Sequence, residues 1–192
     1  AKALEPSDES DFLDVVDDSA PSTCFAGSVW RLLIVDDEPD VHRATTFALN
    51  GLSIFGRTLE FLHAYSAEQA IAILREERDI AVVLLDVVME REDAGLALVK
   101  VIRRDLNLND VRIILRTGQP GYAPEIETIH AFDINDYKTK SELTRAKLYA
   151  TITSALRTYE QIRALDDLAF YDHLSRLPNR NRFINVIDER LV

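Results

Sequence analysis

Short apolar runs alternate along this chain with amphipathic stretches, and the alternation predicts strands and helices in turn. WRLLIV, at 30–35, reads as a buried strand, and Pro39 suits the first turn of a helix carrying Val41, Ala44, Thr45 and Ala48. TLEFLHAYS, at 58–66, alternates with period two around Leu59, Phe61 and His63, after which Ser66 caps a helix through AEQAIAILREE. IAVVLL, at 80–85, is apolar at every position, as a central strand covered on both faces should be. A helix with Leu96, Leu98, Val99, Val101 and Ile102 follows, then the strand VRIIL at 111–115. The loop GQPGYAP leads to a short helix near 124–132, and FDINDY at 132–137 is the last expected strand. Such alternation builds βαβ units, and right-handed crossovers turn them into an α/β fold with a doubly wound, five-stranded parallel sheet. GLSIFGRTLEF, at 51–61, is longer than a minimal connection between the first helix and the second strand.

From Glu142 to about Leu168 there is neither Gly nor Pro, and Leu148, Ile152, Ala155, Tyr159 and Ile162 repeat at four-three spacing. This predicts an extended helix over 142–170 with a coiled-coil seam of about two heptads, protruding from the sheet and pairing two copies. The alternative is a single amphipathic helix packed on its own sheet.

Polar residues of particular kinds sit where the apolar runs end: Asp36 and Asp37 after LLIV, Asp86 after VVLL, Thr117 after IILR, and Lys140 after INDYKT. In an open parallel sheet such ends converge on one crevice. Adjacent carboxylates repel, so holding both ionised calls for a cation, and a hard oxygen-rich site suits Mg²⁺. Asp86 is then a candidate nucleophile, since carboxylates form acyl phosphates. Lys140 offers a point charge and Thr117 a hydroxyl to the phosphoryl oxygens. Taken singly, each residue also fits a bland role. The Asp pair or Asp86 can cap a helix, Thr117 with Gly118 can make a turn, and Lys140 can be a solvated charge. Their recurrence at successive strand ends favours a shared phosphoryl site.

Composition narrows the field. With 47% apolar residues and no apolar run near the roughly 18 needed to span a bilayer, no membrane segment is expected. A formal net charge of −11 argues against nucleic-acid binding. Residues 1–28 hold seven acids against Lys2 and few large apolar groups, so they read as a flexible acidic tail. No signal peptide is visible there, and the lone Cys24 fits a reducing, cytoplasmic setting. The chain begins at Ala1 with Met89 its one methionine, which reads as an excised piece of a longer protein.

Residues 30 to about 145 resemble a response-regulator receiver domain, the phosphoacceptor half of two-component signalling, with its flavodoxin-like fold; the domain is set at 29–145. The resemblance rests on Asp36, Asp37, Asp86, Thr117, and an aromatic three residues before a lysine, Tyr137 and Lys140. It implies that Asp37 and Asp86 bind Mg²⁺ together with the carbonyl of Val88, and that Asp36 acts mainly through a metal-bound water. It also implies that Asp86 takes a phosphoryl group from a phosphohistidine on a sensor histidine kinase or phosphotransfer protein. Lys140 would pair with that group, while Thr117 swings toward it and Tyr137 changes rotamer. Three departures stand out: Ser141 replaces the usual proline after the lysine, Met89-Glu90 replaces Met-Pro in a loop one residue longer, and Lys138 competes with Lys140 for the inward position. A receiver-like module that docks partners without being phosphorylated is the alternative reading. A doubly wound phosphatase ranks low, because Val88 stands where a general acid belongs. A nucleotide-binding domain ranks lower, for want of a Gly-rich phosphate loop.

DDLAFYDHLSRLPNRNRF, at 166–183, is similar to the opening of the GGDEF diguanylate-cyclase domain. Asp172, Leu174, Leu177, Pro178, Asn179, Arg180 and Phe183 match, while Ser175 and Arg176 replace Thr-Gly. The resemblance implies that 171–192 starts a truncated GGDEF-like domain and that the whole protein controls cyclic-di-GMP synthesis, with the helix as a homodimeric transmitter. A helix end followed by a Pro-Asn turn is the plainer reading. No nucleotide or metal site of such a domain falls in these residues, so the fragment itself is not expected to be an enzyme.

Overall fold

The computed structural model describes residues 29–77, 79–89, 91, 93–118, 134–140, 144–172, 175 and 177–180. The acidic segment 1–28, the expected helix at 124–132, Glu90, Ser141, Leu174, Arg176 and all of 181–192 with Phe183 lie outside the described residues. The elements in chain order are β1 (Trp30–Val35), α1 (Pro39–Leu49), β2 (Ser53–Ile54), β3 (Arg57–Ala64), α2 (Ala67–Glu76), β4 (Ile80–Asp86), α3 (Ala94–Lys100) running into a π-helical turn (Val101–Asp105), β5 (Arg112–Thr117), β6 (Asp136–Thr139) and α4 (Arg145–Phe170).

The sheet order is β2-β3-β1-β4-β5-β6, and β3, β1, β4, β5 and β6 run parallel, as expected of a doubly wound fold. The parallel core is the expected one, with an addition at its edge. Ser53 and Ile54 pair antiparallel with Thr58 and Arg57, so the long 51–61 connection folds as a two-residue hairpin. Phe55 (φ 50°) and Gly56 (φ 75°) occupy its turn, and positive φ at both central residues matches the twist of the flanking strands. The hairpin is anchored beneath the sheet, where the Trp30 indole N–H donates to the Ile54 carbonyl at 2.8 Å.

Both faces of the sheet are covered. Leu33, Val35, Val83, Leu85, Ile113 and Leu115 pack with α2 and α3 through Ala70, Leu74, Leu98 and Val99. Leu32, Ile34, Val82, Leu84 and Ile114 face the other way, onto Leu49 of α1 and onto α4. Every residue of β4 is buried, which explains its unbroken apolar run. The last strand is a correction to the reading from periodicity: it covers Asp136–Thr139 rather than 132–137, with Ile134 buried ahead of it. Ile134 counted toward a strand because it is apolar, yet it serves as a core plug in the approach to one.

The long helix forms as expected, over Arg145–Phe170, but the reading of its repeat as a coiled-coil seam is corrected. Leu148, Ile152, Ala155, Leu156 and Tyr159 are buried in the core on the β1–β4–β5 face, with the Tyr159 ring edge-on to Trp30 at 6.3 Å. The four-three repeat therefore records packing on the chain's own sheet, the alternative that an intramolecular interface satisfies with the same spacing. Arg163 closes this interface through ion pairs to Asp79 (3.4 Å) and Asp110 (3.3 Å). Past Arg163 the helix leaves the body, and Leu165 and Leu168 are exposed. At its end the chain folds back: Asp172 N–H donates to Leu177 O, Asn179 N–H to Phe170 O, and the Asn179 amide to Ala169 O. The Asp172 carboxylate accepts from the N–H and hydroxyl of Ser175. Asp172 and Asn179 thus have local capping work, whatever follows them.

Ser66 caps α2 as expected, its hydroxyl accepting from Gln69 N–H at 3.2 Å. Ser66→Ala should cost about 1 kcal/mol, read as a lower urea midpoint with an unchanged slope.

Candidate functional site

Strand parity determines which polar groups meet. Leu32 and Ile34 of β1, Val82 and Leu84 of β4, and Ile114 of β5 all face α1 and α4. Continuing each strand by two residues puts Asp36, Asp86 and Arg116 on that same face at three neighbouring strand ends. Asp86 and Arg116 are direct cross-strand partners, and Val87 N–H donates to Arg116 O at 3.0 Å. Asp36 is fully buried and Asp86 nearly so, whereas Asp37 and Glu38 are exposed at the mouth.

Lys140 is the cation the acids share. Its Nζ lies 2.9 Å from Asp86 Oδ2, 3.2 Å from Asp36 Oδ2 and 3.0 Å from Glu38 Oε1. Lys138, the rival for this position, pairs instead with Asp136 at 3.1 Å. Thr117 ends β5, fully buried, one residue past the cross-strand partner of Asp86. Tyr137, opposite Leu115, packs on the other face of the sheet, and its hydroxyl is buried with no hydrogen-bond partner among the described residues. Val88 lies half-buried just beyond Asp86.

The carboxylates of Asp36, Asp37, Glu38 and Asp86 offer oxygens that all lie within 4.8 Å of one another. Asp86 Oδ1 is buried without a hydrogen bond among the described residues. An orphaned carboxylate oxygen in an all-oxygen cluster fits a hard divalent cation such as Mg²⁺. Burial pushes the Asp86 carboxyl above its ordinary range, a tendency that Lys140 opposes and the nearby Asp36 reinforces. Burial works against the charge of Lys140, but its bonds to Asp86 and Glu38 outweigh that and hold its pKa above the ordinary value.

Four further residues shape the site and were not singled out for it from sequence. Arg116 is buried, donates from Nη1 to Thr45 Oγ1 of α1 at 2.9 Å, and holds Nη2 3.6 Å from Asp36 Oδ2. His42 is buried beside Asp36, with Nε2 2.7 Å from the Asp36 carbonyl and Nδ1 2.9 Å from His63 Nδ1. A carbonyl can only accept, so Nε2 carries a proton. In the neutral ring Nδ1 then accepts from His63, and the two imidazoles brace the backbone of Asp36. Burial, then the neighbouring His42, lower the pKa of His63, which favours this neutral chain. Gly95, at the start of α3, packs so closely under β4 that an added Cβ would lie 2.1 Å from the Asp86 carbonyl oxygen. A charged residue directly after the apolar Ile113–Leu115 stretch of β5 was the visible signal for Arg116; spacing held none for Gly95.

A family model described as the response regulator receiver domain matches residues 32–153. A curated relative, the 3'3'-cGAMP-specific phosphodiesterase 2 of Vibrio cholerae serotype O1, is 44% identical over 138 residues, or 72% of this chain. The match spans 26% of that relative, about a quarter of its length. Among solved structures, a CheY-like receiver domain protein from Methanospirillum hungatei aligns with a TM-score of 0.56 at 21% identity, covering 70% of this chain and 99% of the other. The N-terminal domain of a response regulator/sensory box/GGDEF protein from Carboxydothermus hydrogenoformans aligns at 0.55 and 22% identity, covering 69% and 98%. Both structural likenesses bear on the fold alone.

Proposed function

This chain belongs to the response regulator receiver domain family, and on that premise we propose that Asp86 accepts a phosphoryl group from a phosphohistidine on a sensor histidine kinase or phosphotransfer protein. The observation that carries the reading is the contact of Lys140 Nζ with Asp86 Oδ2 at 2.9 Å inside the buried acid cluster. An Asp86 carboxylate oxygen attacks phosphorus, the P–N bond to the donor imidazole breaks, and the imidazole leaves with a proton from solvent while an acyl phosphate forms. Lys140 then exchanges one carboxylate partner for a phosphoryl oxygen, and the Thr117 hydroxyl turns toward the same group. Tyr137 is suited to respond, since its buried hydroxyl gains a partner by changing rotamer. Asp37, Asp86 and the Val88 carbonyl would hold Mg²⁺ with Asp36 behind them, and the ion supplies charge neutralisation for the phosphoryl oxygens.

Incubation of the chain with acetyl phosphate and Mg²⁺ tests this. Intact mass is expected to rise by one phosphoryl group, and the adduct should be lost at alkaline pH, as acyl phosphates are. No mass gain from either acetyl phosphate or a phosphorylated kinase would overturn the reading and leave the docking-module alternative. Beryllofluoride separates the two further: an active acceptor gains thermal stability from it only when Mg²⁺ is present.

For the whole protein we propose an output acting on a cyclic dinucleotide, in the cytoplasm where sensor kinases deliver phosphoryl groups. The GGDEF-like start around Asp172–Asn179 supports synthesis of cyclic-di-GMP, and the cGAMP-specific relative supports hydrolysis as the second reading. Among the described residues no helix is long and apolar enough to cross a membrane. Leu165 and Leu168, exposed where α4 leaves the body, support homodimer contact on that segment rather than on the buried seam.

A further inference from the structure

Arg116 is the least expected charge in this molecule. It sits 3% exposed at the end of a central strand, and its Nε and Nη2 have no hydrogen-bond partner among the described residues. An apolar side chain would fill that position at far lower desolvation cost, so the guanidinium is tolerated because of what lies beside it. Its neighbours are Asp36, with Oδ2 at 3.6 Å, and Asp86, its cross-strand partner. Thr45 of α1 accepts from Nη1 and holds the head group in place. Among the described residues, two buried carboxylates, Asp36 and Asp86, therefore face two buried or half-buried cations, Arg116 and Lys140, and these four charges balance without any ion. The remaining acids, Asp37 and Glu38, are exposed.

Resting on the phosphoacceptor reading of this site, we propose that Arg116 is a resident counterion of Asp36 that lowers the site's affinity for divalent cations and commits Asp36 to an ion pair instead of direct metal contact. Arg116 is thus a positioning residue: it acts through Asp36 and touches neither the ion nor the phosphoryl group. A dication entering the site meets one fixed positive charge more than Lys140 alone would present.

Calorimetric titration of Mg²⁺ into the intact chain tests this, with four proteins compared: wild type, Arg116→Met, Asp36→Asn, and the double variant. Removing one unit charge near a dication in a partly solvated site should tighten binding about tenfold in Arg116→Met, and Asp36→Asn should weaken it by about the same factor. The double variant restores the interior charge and should return to within about threefold of wild type. Unchanged or weaker binding in Arg116→Met overturns the proposal. So does a double variant as weak as Asp36→Asn, because Asp36 would then be needed as a ligand. If Arg116→Met fails to fold because Asp36 keeps only Lys140 as a counterion, the comparison of Asp36→Asn with the double variant decides alone, since the latter removes both buried charges together. Wild-type protein that binds no Mg²⁺ would instead overturn the acceptor-site reading itself.

Discussion

Asp86→Asn is expected to reduce phosphoryl uptake from acetyl phosphate to background while raising thermal stability. The first effect follows because the amide has no carboxylate oxygen to attack phosphorus, and Asp86 makes the shortest carboxylate contact with Lys140, at 2.9 Å against 3.2 Å for Asp36. The second follows from burial. Asp86 is 3% exposed and its carboxyl is pushed above the ordinary 3.8, by desolvation first. Below 3.8 both the folded and unfolded chains carry the proton. As pH rises from there, the unfolded chain ionises first, so stability falls until the raised folded-state value is passed. At neutral pH the native acid therefore carries a penalty that the asparagine lacks, and Lys140 retains Asp36 and Glu38 as partners. Thermal melts from pH 4 to 8 should show the variant melting higher at pH 7, with the gap narrowing toward pH 4. A lower melting temperature at pH 7 would mean that the Lys140 pairing outweighs desolvation, and a mass gain in the variant would displace the acceptor assignment.

Most of the fold and the acids of the site were legible in sequence because each depends on local pattern. A strand covered on both faces must be apolar throughout, so β4 announced itself, and the first polar residue after such a run lies at the crevice. The choice between Lys138 and Lys140 was not legible, since two residues of parity separate them and only the placement of Asp136 and the acids distinguishes their roles. The α4 repeat was legible as an apolar stripe, but a stripe does not say whether its partner is another copy or the chain's own sheet. Trp30, Leu32 and Ile34 supply that partner from more than a hundred residues away. Arg116 was the hardest to read. Single-residue burial costs argue against a buried guanidinium, and its reason for being there, Asp36, sits two strands over.

Gly95→Ala should be the most disruptive small substitution in the described chain. Gly51 and Gly56 are needed for positive φ and have open space around them, but Gly95 has no such conformation and is needed for room. A Cβ there would lie 2.1 Å from Asp86 O and 2.8 Å from Val87 Cα, both backbone atoms. Neither side can yield easily. Val87 N–H is bonded to Arg116 O at 3.0 Å, Gly95 N–H is bonded to Val87 O at 3.1 Å, and the following turn of α3 carries the fully packed Leu98 and Val99. Relief requires α3 to move off β4, opening the core beneath it, so a loss of about 3 kcal/mol is expected, at the upper end of ordinary overpacking costs. Urea unfolding of Gly95→Ala should show a lower midpoint by that margin. Because the clash falls on the carbonyl of Asp86, the proposed acceptor, molecules that remain folded should also take up phosphoryl groups more slowly. A midpoint within error of wild type, together with unchanged uptake, would show that α3 can slide on β4 without disturbing Asp86, and that the close approach is not what holds the acceptor in position.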